Sequence, residues 1–440
     1  MNILCADFGT SSVKIAIINE SKKTLAEAKG EYAYDVINRQ NIQIDPEKIY
    51  GSFLKALKGK GIQDHLKNID MFAFCVCSPV FIPMAKDGAA LYPAILHLDR
   101  RSYVQSKFVL DHVGKKDFMA ITGNLPFAGG ISCTSMLWYK DNFPELYKKT
   151  HKLGHLNTFL IKRLVNKFLI EPSNASFSGL YETLTMKGWS EKIYGALGID
   201  KNLLPDIVPS LSIAGKLTKE AAAATGIKEG IPVAMGTNDT TSAAFGAGAV
   251  NIGDILNISG SSEIITVTTD APVPNEKYYI RTSMEPGKWL YLAITVGGFA
   301  LDWFREQFYS EMEKKAFFNH YLPDFLATHT STDVVFKPYL AGDRHSLKKK
   351  KGSFNNLTFD STREDMLLAL LIGTYEPIFN MIRVVKKQMP LNPDIFWTGG
   401  MVSDAYQDFK CRVFKGFTFN MKRECSIAGC FAAAQRLLKK

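Results

Sequence analysis

Glycines and hydroxyl side chains gather at several turns of this chain, and some of those turns carry a carboxylate. In "LCADFGTSSVKIAI" (4–17) an apolar run ends at Asp7 and passes through Gly9, Thr10, Ser11 and Ser12. It resumes as an alternating run that contains Lys14. Glycine permits a tight turn and close ligand approach, while successive N–H groups and hydroxyls donate to phosphoryl oxygens. Asp7, at the end of a strand, is placed to hold Mg2+ directly or through its waters, since hard cations take oxygen ligands. Lys14 adds a positive charge there if the hairpin twist brings it round. The same residue types are ordinary turn formers, so the chemistry needs more than one such turn.

A second turn exists. "GDILNISGSSEIITVTT" (253–269) again reads strand, turn, strand; laid on the first hairpin, it puts Gly260 on Gly9, Ser261 on Thr10 and Ser262 on Ser11. Ile258 falls where the first copy has Asp7, so only one half brings the carboxylate. Two such hairpins, one opening each half, predict a duplicated architecture whose facing turns clasp a polyphosphate across a cleft. In "VAMGTNDTTSAAFGAG" (233–248) an apolar strand ends at Gly236 and a helix of small residues follows. Asn238 or Asp239 caps that helix; alternatively, Asp239 is a general base that takes the proton of a hydroxyl attacking phosphorus. "IFWTGGMVSDAY" (395–406) runs a strand into Gly399 and Gly400, a turn open enough for a flat nucleoside or a phosphate. Neither GxxxxGK[ST] nor GxGxxG after a strand occurs, so a nucleotide needs another scaffold.

The elements that must position these groups are legible in outline. Strands are expected over 2–7, 13–18 and 25–34, and a helix over 46–58, opened by Asp45 as cap and Pro46 in the first turn. The apolar run "MFAFCVCSPVFIPMA" (71–85) predicts two strands of a sheet covered on both faces. Residues 99–168 read as helical, polar and basic, with Trp138 in the core. "MLLALLIGTYEPIF" (366–379) reads as a buried helix; no uncharged apolar stretch reaches the ~18 residues of a membrane span.

A length of 440 residues suits two or three domains, and 46% hydrophobic with 22% charged residues is the balance of a globular protein. No basic region precedes the first apolar run, so a signal peptide is not expected. Seven scattered cysteines fit neither a disulfide framework nor a paired zinc site, and point to the reducing cytoplasm. The net charge of +10 includes a run of lysines at 348–351 without interleaved aromatics, expected to be a solvated loop rather than a nucleic-acid surface.

Taken in order, Asp7-x-Gly-Thr-Ser-Ser-x-Lys, "ILHLDRRS", "SNASFSGL", "GTNDTTSAAFGAG", "SGSSE", "KPYLAGDR" and "TGGMVSD" resemble the FGGY carbohydrate kinases, with a pattern nearest to xylulokinase-like members. These belong to the actin-like, sugar kinase and Hsp70 ATPase superfamily, and the resemblance spans nearly the whole chain. It implies an α/β fold of two ribonuclease-H-like domains flanking a deep cleft, residues 1–243 on the sugar side and 244–440 on the ATP side. It implies that Asp7 is the metal-linked aspartate and Asp239 the catalytic base, the latter touching substrate and metal alike. Gly9, Thr10, Ser11, Ser12 and Lys14 fall on the first phosphate loop, and Gly260, Ser261 and Ser262 on the second. Gly399, Gly400 and Met401 fall on the adenosine motif.

On the sugar side, Asp99 and Arg101 fall on the family's Trp-x-Asp-x-Arg stretch, with His97 in the tryptophan's place. Ser78-Pro79-Val80-Phe81 occupies the segment where xylulokinase-like members carry Gly-Gln-Met-His, so Ser78 and Phe81 join His97, Asp99 and Arg101 as substrate candidates. A proline and two apolar side chains cannot replace a polar reading of sugar hydroxyls, which argues against xylulose. The Arg-Glu pair of glycerol kinases is absent, and Ser261 stands where threonine is usual, which keeps the hydroxyl. Asp343 and Arg344 fall on a structural acidic–arginine pair. The chain is shorter than most members, which implies trimmed surface insertions.

The expectation is an ATP- and Mg2+-dependent kinase of a small sugar, polyol or sugar acid, ketopentose-like in the first instance. One alternative is a sugar- or nucleotide-binding regulatory protein with weak catalysis on the same scaffold; the retained Asp7 and Asp239 argue against it. Another is an actin- or Hsp70-like ATPase with a protein partner, against which "LDRR" and "SNAS" speak. The expected partners are the carbohydrate and ATP, with neither nucleic acid nor membrane, and a homodimer is compatible with all of this.

Overall fold

The computed structural model describes residues 1–38, 41–340, 342–343, 347 and 350–439. Arg344 and two of the clustered lysines, Lys348 and Lys349, lie outside the described residues.

Strand β1 (Asn2–Phe8) turns through Gly9 into β2 (Ser12–Asn19), which pairs in turn with β3 (Thr24–Glu31). β4 (Met71–Val76) is buried at every position and runs parallel to β1, as a strand covered on both faces should. With β5 (Ile213–Lys216), β6 (Pro232–Ala234) and β7 (Thr237–Asn238) these form a seven-stranded sheet in the order β5-β6-β4-β1-β2-β3, with β7 also on β4. The second half builds another from β8 (Ile255–Ser259), β9 (Ser262–Thr269), β10 (Tyr279–Thr282), β11 (Trp289–Val296), β12 (Asp394–Thr398) and β13 (Thr418–Met421). Its order is β10-β11-β9-β8-β12-β13. Strand for strand, β3-β2-β1-β4 repeats as β11-β9-β8-β12: a hairpin, a third antiparallel strand, and a parallel strand beside the first. The duplication read from two short turns is thus a duplication of topology.

The run 71–85 divides differently from expectation. Met71–Val76 is β4, but Val80–Met84 joins a separate five-stranded sheet with Asp35–Val36, Ile42–Ile44, Ala94–Leu96 and Lys152–His155. The chain changes direction at Ser78-Pro79, where proline has no N–H to continue a ladder.

Helix α1 (Pro46–Leu57) begins as anticipated: the Asp45 carboxylate accepts from the Glu47 N–H at 3.0 Å, and Ile49, Phe53, Ala56 and Leu57 bury one face. The Phe53 ring stacks on Phe72 of β4 with centroids 5.5 Å apart. Residues 363–385 are long and apolar enough to cross a membrane by length and composition. They form two helices, Arg363–Gly373 and Glu376–Val385, which bury residues 367–371 with Ile378, Met381 and Val385 in the core of the second half.

Three further helices bear on the site, and the first and last of them tie the halves together. α2 (Asp239–Ala247) leaves β7 and is rich in small residues; α3 (Asp404–Val413) buries Tyr406, Phe409 and Lys410; α4 (Cys425–Leu438) ends the described chain. A Cβ on Gly429 would lie 1.9 Å from the Ser242 carbonyl oxygen, and one on Gly246 2.1 Å from that of Cys425. α2 and α4 therefore touch through backbone. α4 also covers β1 and β4 with Ile427, Cys430, Phe431 and Ala434.

Candidate active site

Strand register brings the two candidate carboxylates together. Asp7 pairs with Cys75 and Cys75 with Thr237, so β1, β4 and β7 deliver Asp7 and Asp239 to the same end of parallel strands. The capping alternative resolves in favour of Asn238, whose Oδ1 accepts from the Thr241 N–H at 3.2 Å. Asp239 is then the first helical residue. Its Oδ1 is held by the Asn238 amide at 2.9 Å, the Thr240 N–H at 2.6 Å and the Thr240 hydroxyl at 3.3 Å. Its Oδ2 accepts no hydrogen bond from the described residues.

Burial first, and the Asp7 carboxylate second, push Asp239 up to about 7, against the lowering by Thr240 and Asn238. Burial raises Asp7 as well, opposed by hydrogen bonds from Ser426 (Oγ to Oδ2, 2.8 Å) and Cys75 (Sγ to Oδ1, 3.5 Å). A carboxylate poised near neutral pH, with one oxygen anchored and the other open, is suited to accept a proton.

The two turns are braced from behind. The Gly9 N–H donates to the Ser12 carbonyl at 2.9 Å, and the Tyr32 hydroxyl donates to the carbonyls of Gly9 (2.6 Å) and Ser12 (3.1 Å). In the second turn the Gly260 N–H donates to the Ser262 carbonyl at 3.1 Å, and the Gly298 N–H to the Gly260 carbonyl at 2.8 Å. Lys410 of α3 is buried beneath it: its Nζ lies 2.5 Å from Glu263 Oε1 and 2.8 Å from Ser259 Oγ, and it also bonds Asn257 Oδ1. Trp397 Nε1 donates to the same Ser259 hydroxyl at 2.7 Å. Thr10, Ser11, Gly260, Ser261, Ser262 and Asp239 all line one cavity of about 770 Å³. Ser78 and His97 line it too, with the Ser78 hydroxyl bonded to Asn174 Oδ1.

Other candidates fall outside the wall. Lys14 stands opposite Asp7 in the ladder, but its half-exposed ammonium bonds Glu424 at 3.0 and 3.1 Å. Gly9 and Ser12 shape the first turn without lining the cavity. Gly399, Gly400 and Met401 border the second turn: at φ +116 a Gly399 Cβ would lie 2.2 Å from the Ser259 carbonyl oxygen, to which the Met401 N–H donates at 3.1 Å.

Three substrate candidates need correction. Phe81 is core, 1% exposed, its ring against Tyr139 at 6.1 Å. Asp99 and Arg101 form a buried ion pair at 2.9 Å. Asp99 also accepts from the N–H groups of Ile42 and Arg101, while Arg101 donates to Tyr92 and Gln43 and lies over Trp138. The pair is turned onto itself and lines no part of the cavity; it fixes the turn that carries His97, Leu98 and Arg100 into the cavity wall. Asp343 does line the cavity, paired with Lys350 at 2.6 Å.

Sequence reasoning passed over Tyr32, Ser426, Lys410 and Arg281. Only the last left a local signal, a lone arginine in the apolar run "YYIRTSM".

Residues 2–246 match the model of the FGGY family of carbohydrate kinases, N-terminal domain. A xylulose kinase of Staphylococcus xylosus is 23% identical over 421 residues, covering 94% of this chain and 86% of its own. A gluconokinase of Bacillus licheniformis is 25% identical over 430 residues, covering 94% and 83%. Among solved structures, a ligand-bound xylulose kinase from Lactobacillus acidophilus superposes with a TM-score of 0.89 at 19% identity, over 100% of this chain and 89% of that one.

Proposed function

The chain belongs to the FGGY family of carbohydrate kinases, and on that premise we propose that it transfers the γ-phosphoryl group of ATP to a hydroxyl of a small sugar, polyol or sugar acid. The observation that carries this reading is the meeting of Asp239 and both hydroxyl-bearing turns at one cavity, with Asp7 beside them. The acceptor oxygen bonds to the γ-phosphorus while the bond from that phosphorus to the β,γ-bridging oxygen breaks and ADP leaves. Asp239 Oδ2, the oxygen not occupied by its own helix, takes the hydroxyl proton. Phosphoryl transfer asks chiefly for positioning and charge stabilisation, and two donor-rich turns with a base answer that demand.

The donor set also fits Mg2+. Asp7 and Asp239 offer hard carboxylate oxygens; burial first and the Asp7 charge second raise Asp239, and a divalent cation relieves the repulsion. Among the described residues no group of three or more His, Cys, Asp or Glu forms a closed cage. That suits an ion which keeps waters and phosphate oxygens as ligands. When bound, Mg2+ supplies charge neutralisation at the transferring group.

The division into sugar-side residues 1–243 and ATP-side residues 244–440 belongs to the proposal; the family model ending at 246 supports it. A reducing, cytoplasmic setting is likewise part of the proposal; seven free cysteines, six of them buried, are in keeping with it.

The test is Asp239→Asn, which keeps size and hydrogen-bonding shape but cannot take the proton. Turnover should fall by about 10²–10⁴-fold while ATP binding, read by calorimetry, persists. Full activity in this variant refutes the assignment.

A further inference from the structure

Arg281 on β10 is a buried cation with no counter-ion among the described residues. It is 3% exposed, and it lines the same cavity as Asp239. Its guanidinium lies over the Phe177 ring at 3.9 Å and the Tyr279 ring at 5.2 Å. Nη1 donates to Asn124 Oδ1 at 2.6 Å and to the Ile280 carbonyl at 2.9 Å. Nε is buried without a hydrogen-bond partner, and among the described residues no carboxylate lies within ion-pair distance of this side chain.

Burying an ion costs several kcal/mol unless an opposite charge and hydrogen bonds compensate. Ring stacking and two neutral acceptors compensate only in part. Burial pushes Arg281 down to about 9, which still leaves it charged at neutral pH. The missing counter-charge has a natural source in whatever fills the cavity, because a guanidinium matches a carboxylate with a fork of parallel N–H donors.

The position within the cavity says which ligand. Asn124 and Phe177, which hold the guanidinium, come from the first half, and among the described residues its hydrogen bonds reach neither phosphate turn. Phe177 belongs to the segment whose Ser173 hydroxyl accepts from the Asn238 N–H at 3.0 Å, next to Asp239. Arg281 therefore stands at the acceptor end. The wall as a whole is cationic, with Arg100, Arg281, Lys350 and Lys351 against Asp239 and Asp343.

We propose that the acceptor is a sugar acid, an aldonate whose carboxylate is bound by Arg281 while one of its hydroxyls meets Asp239. This deepens the kinase reading and rests on it. It also turns away from the ketopentose first expected, because a neutral ketose leaves the buried guanidinium uncompensated.

The experiment compares five- and six-carbon aldonates with the matched alditols, in which a hydroxymethyl group replaces the carboxylate, and with ketopentoses, by ADP release. Wild type should favour an aldonate in kcat/KM by about 10²-fold or more. Arg281→Met, which removes the charge and keeps the stem, should erase that preference by raising KM for the aldonate and leave KM for ATP unchanged. Arg281→Lys, which keeps the charge and loses the fork, should fall between, and the wild-type panel stands by itself if either variant fails to fold. Equal or better turnover of neutral acceptors by wild type overturns the proposal and leaves the kinase reading intact. A change confined to KM for ATP also overturns it, since Arg281 would then read the triphosphate. If aldonates raise the melting temperature through Arg281 but no acceptor is phosphorylated, carboxylate recognition stands and the kinase reading falls.

Discussion

His155 is 1% exposed, with Nε2 2.7 Å from the Ser132 hydroxyl, just beyond the cavity-lining residues Phe127, Ala128 and Gly130. Burial holds its pKa down to about 4, against an ordinary value of about 6.5. Between those values the unfolded chain binds a proton that the folded one does not, so stability falls as pH drops below about 6.5 and the loss levels off below about 4. The expected slope from this one group is about 1.4 kcal/mol per pH unit inside that window. Denaturation midpoints from pH 7.5 to 4.5 should show it, and His155→Gln should flatten the slope by that share; an identical profile in the variant counts against the assignment. At the same scale the candidate site was legible where local chemistry sufficed. Thr10, Ser11 and Ser261 stand at turns, and Asp7, Asp239 and Ser262 at the ends of the elements beside them, places that declare themselves in sequence. Asp99 and Arg101 misled because a charged pair that is two residues apart reads the same whether it faces a ligand or closes on itself.

Among the elements, the hairpin β8–β9 shows how a phosphate turn is held in place. Lys410 of α3 reaches under it to Glu263 and Ser259, and both charged side chains are almost fully buried. Burial lowers the Lys410 pKa and Glu263 offsets it. Removing one partner leaves the other charge uncompensated, so Lys410→Met should cost about 3–5 kcal/mol by chemical denaturation. The double variant Lys410→Met with Glu263→Gln should recover most of that. Equal losses in the single and double variants mean the pair is not the reason. The strands themselves were readable from apolar runs and alternation. The fate of 71–85 was not, because periodicity reports that both halves of a run are buried and says nothing about which sheet each half joins.

For the whole molecule, the α2–α4 crossing is a backbone-to-backbone contact with no room for a side chain at Gly429 or Gly246. Gly429→Ala forces a methyl toward the Ser242 carbonyl; despite the better helix propensity of alanine, it should destabilise by about 1–3 kcal/mol. Unchanged stability would mean the helices separate without cost. Closure of the halves on ATP and acceptor should exclude water from the transfer and reduce the radius of gyration in X-ray scattering; identical radii with and without both ligands speak against it. What the amino-acid sequence determined by itself is the chemical kit and its order. Two hydroxyl-bearing hairpins, a strand-end aspartate and a second aspartate at a helix start are local features, written in turn residues and period. What only the tertiary structure decided is which side chains share the cavity. It turned Asp99 and Arg101 inward on each other, tied Lys14 to Glu424, and set Arg281 against Phe177 with no carboxylate in ion-pair reach among the described residues. The contacts of Lys14 and Arg281 depend on neighbours more than a hundred residues away, and pairing and desolvation have no signature in the local chain.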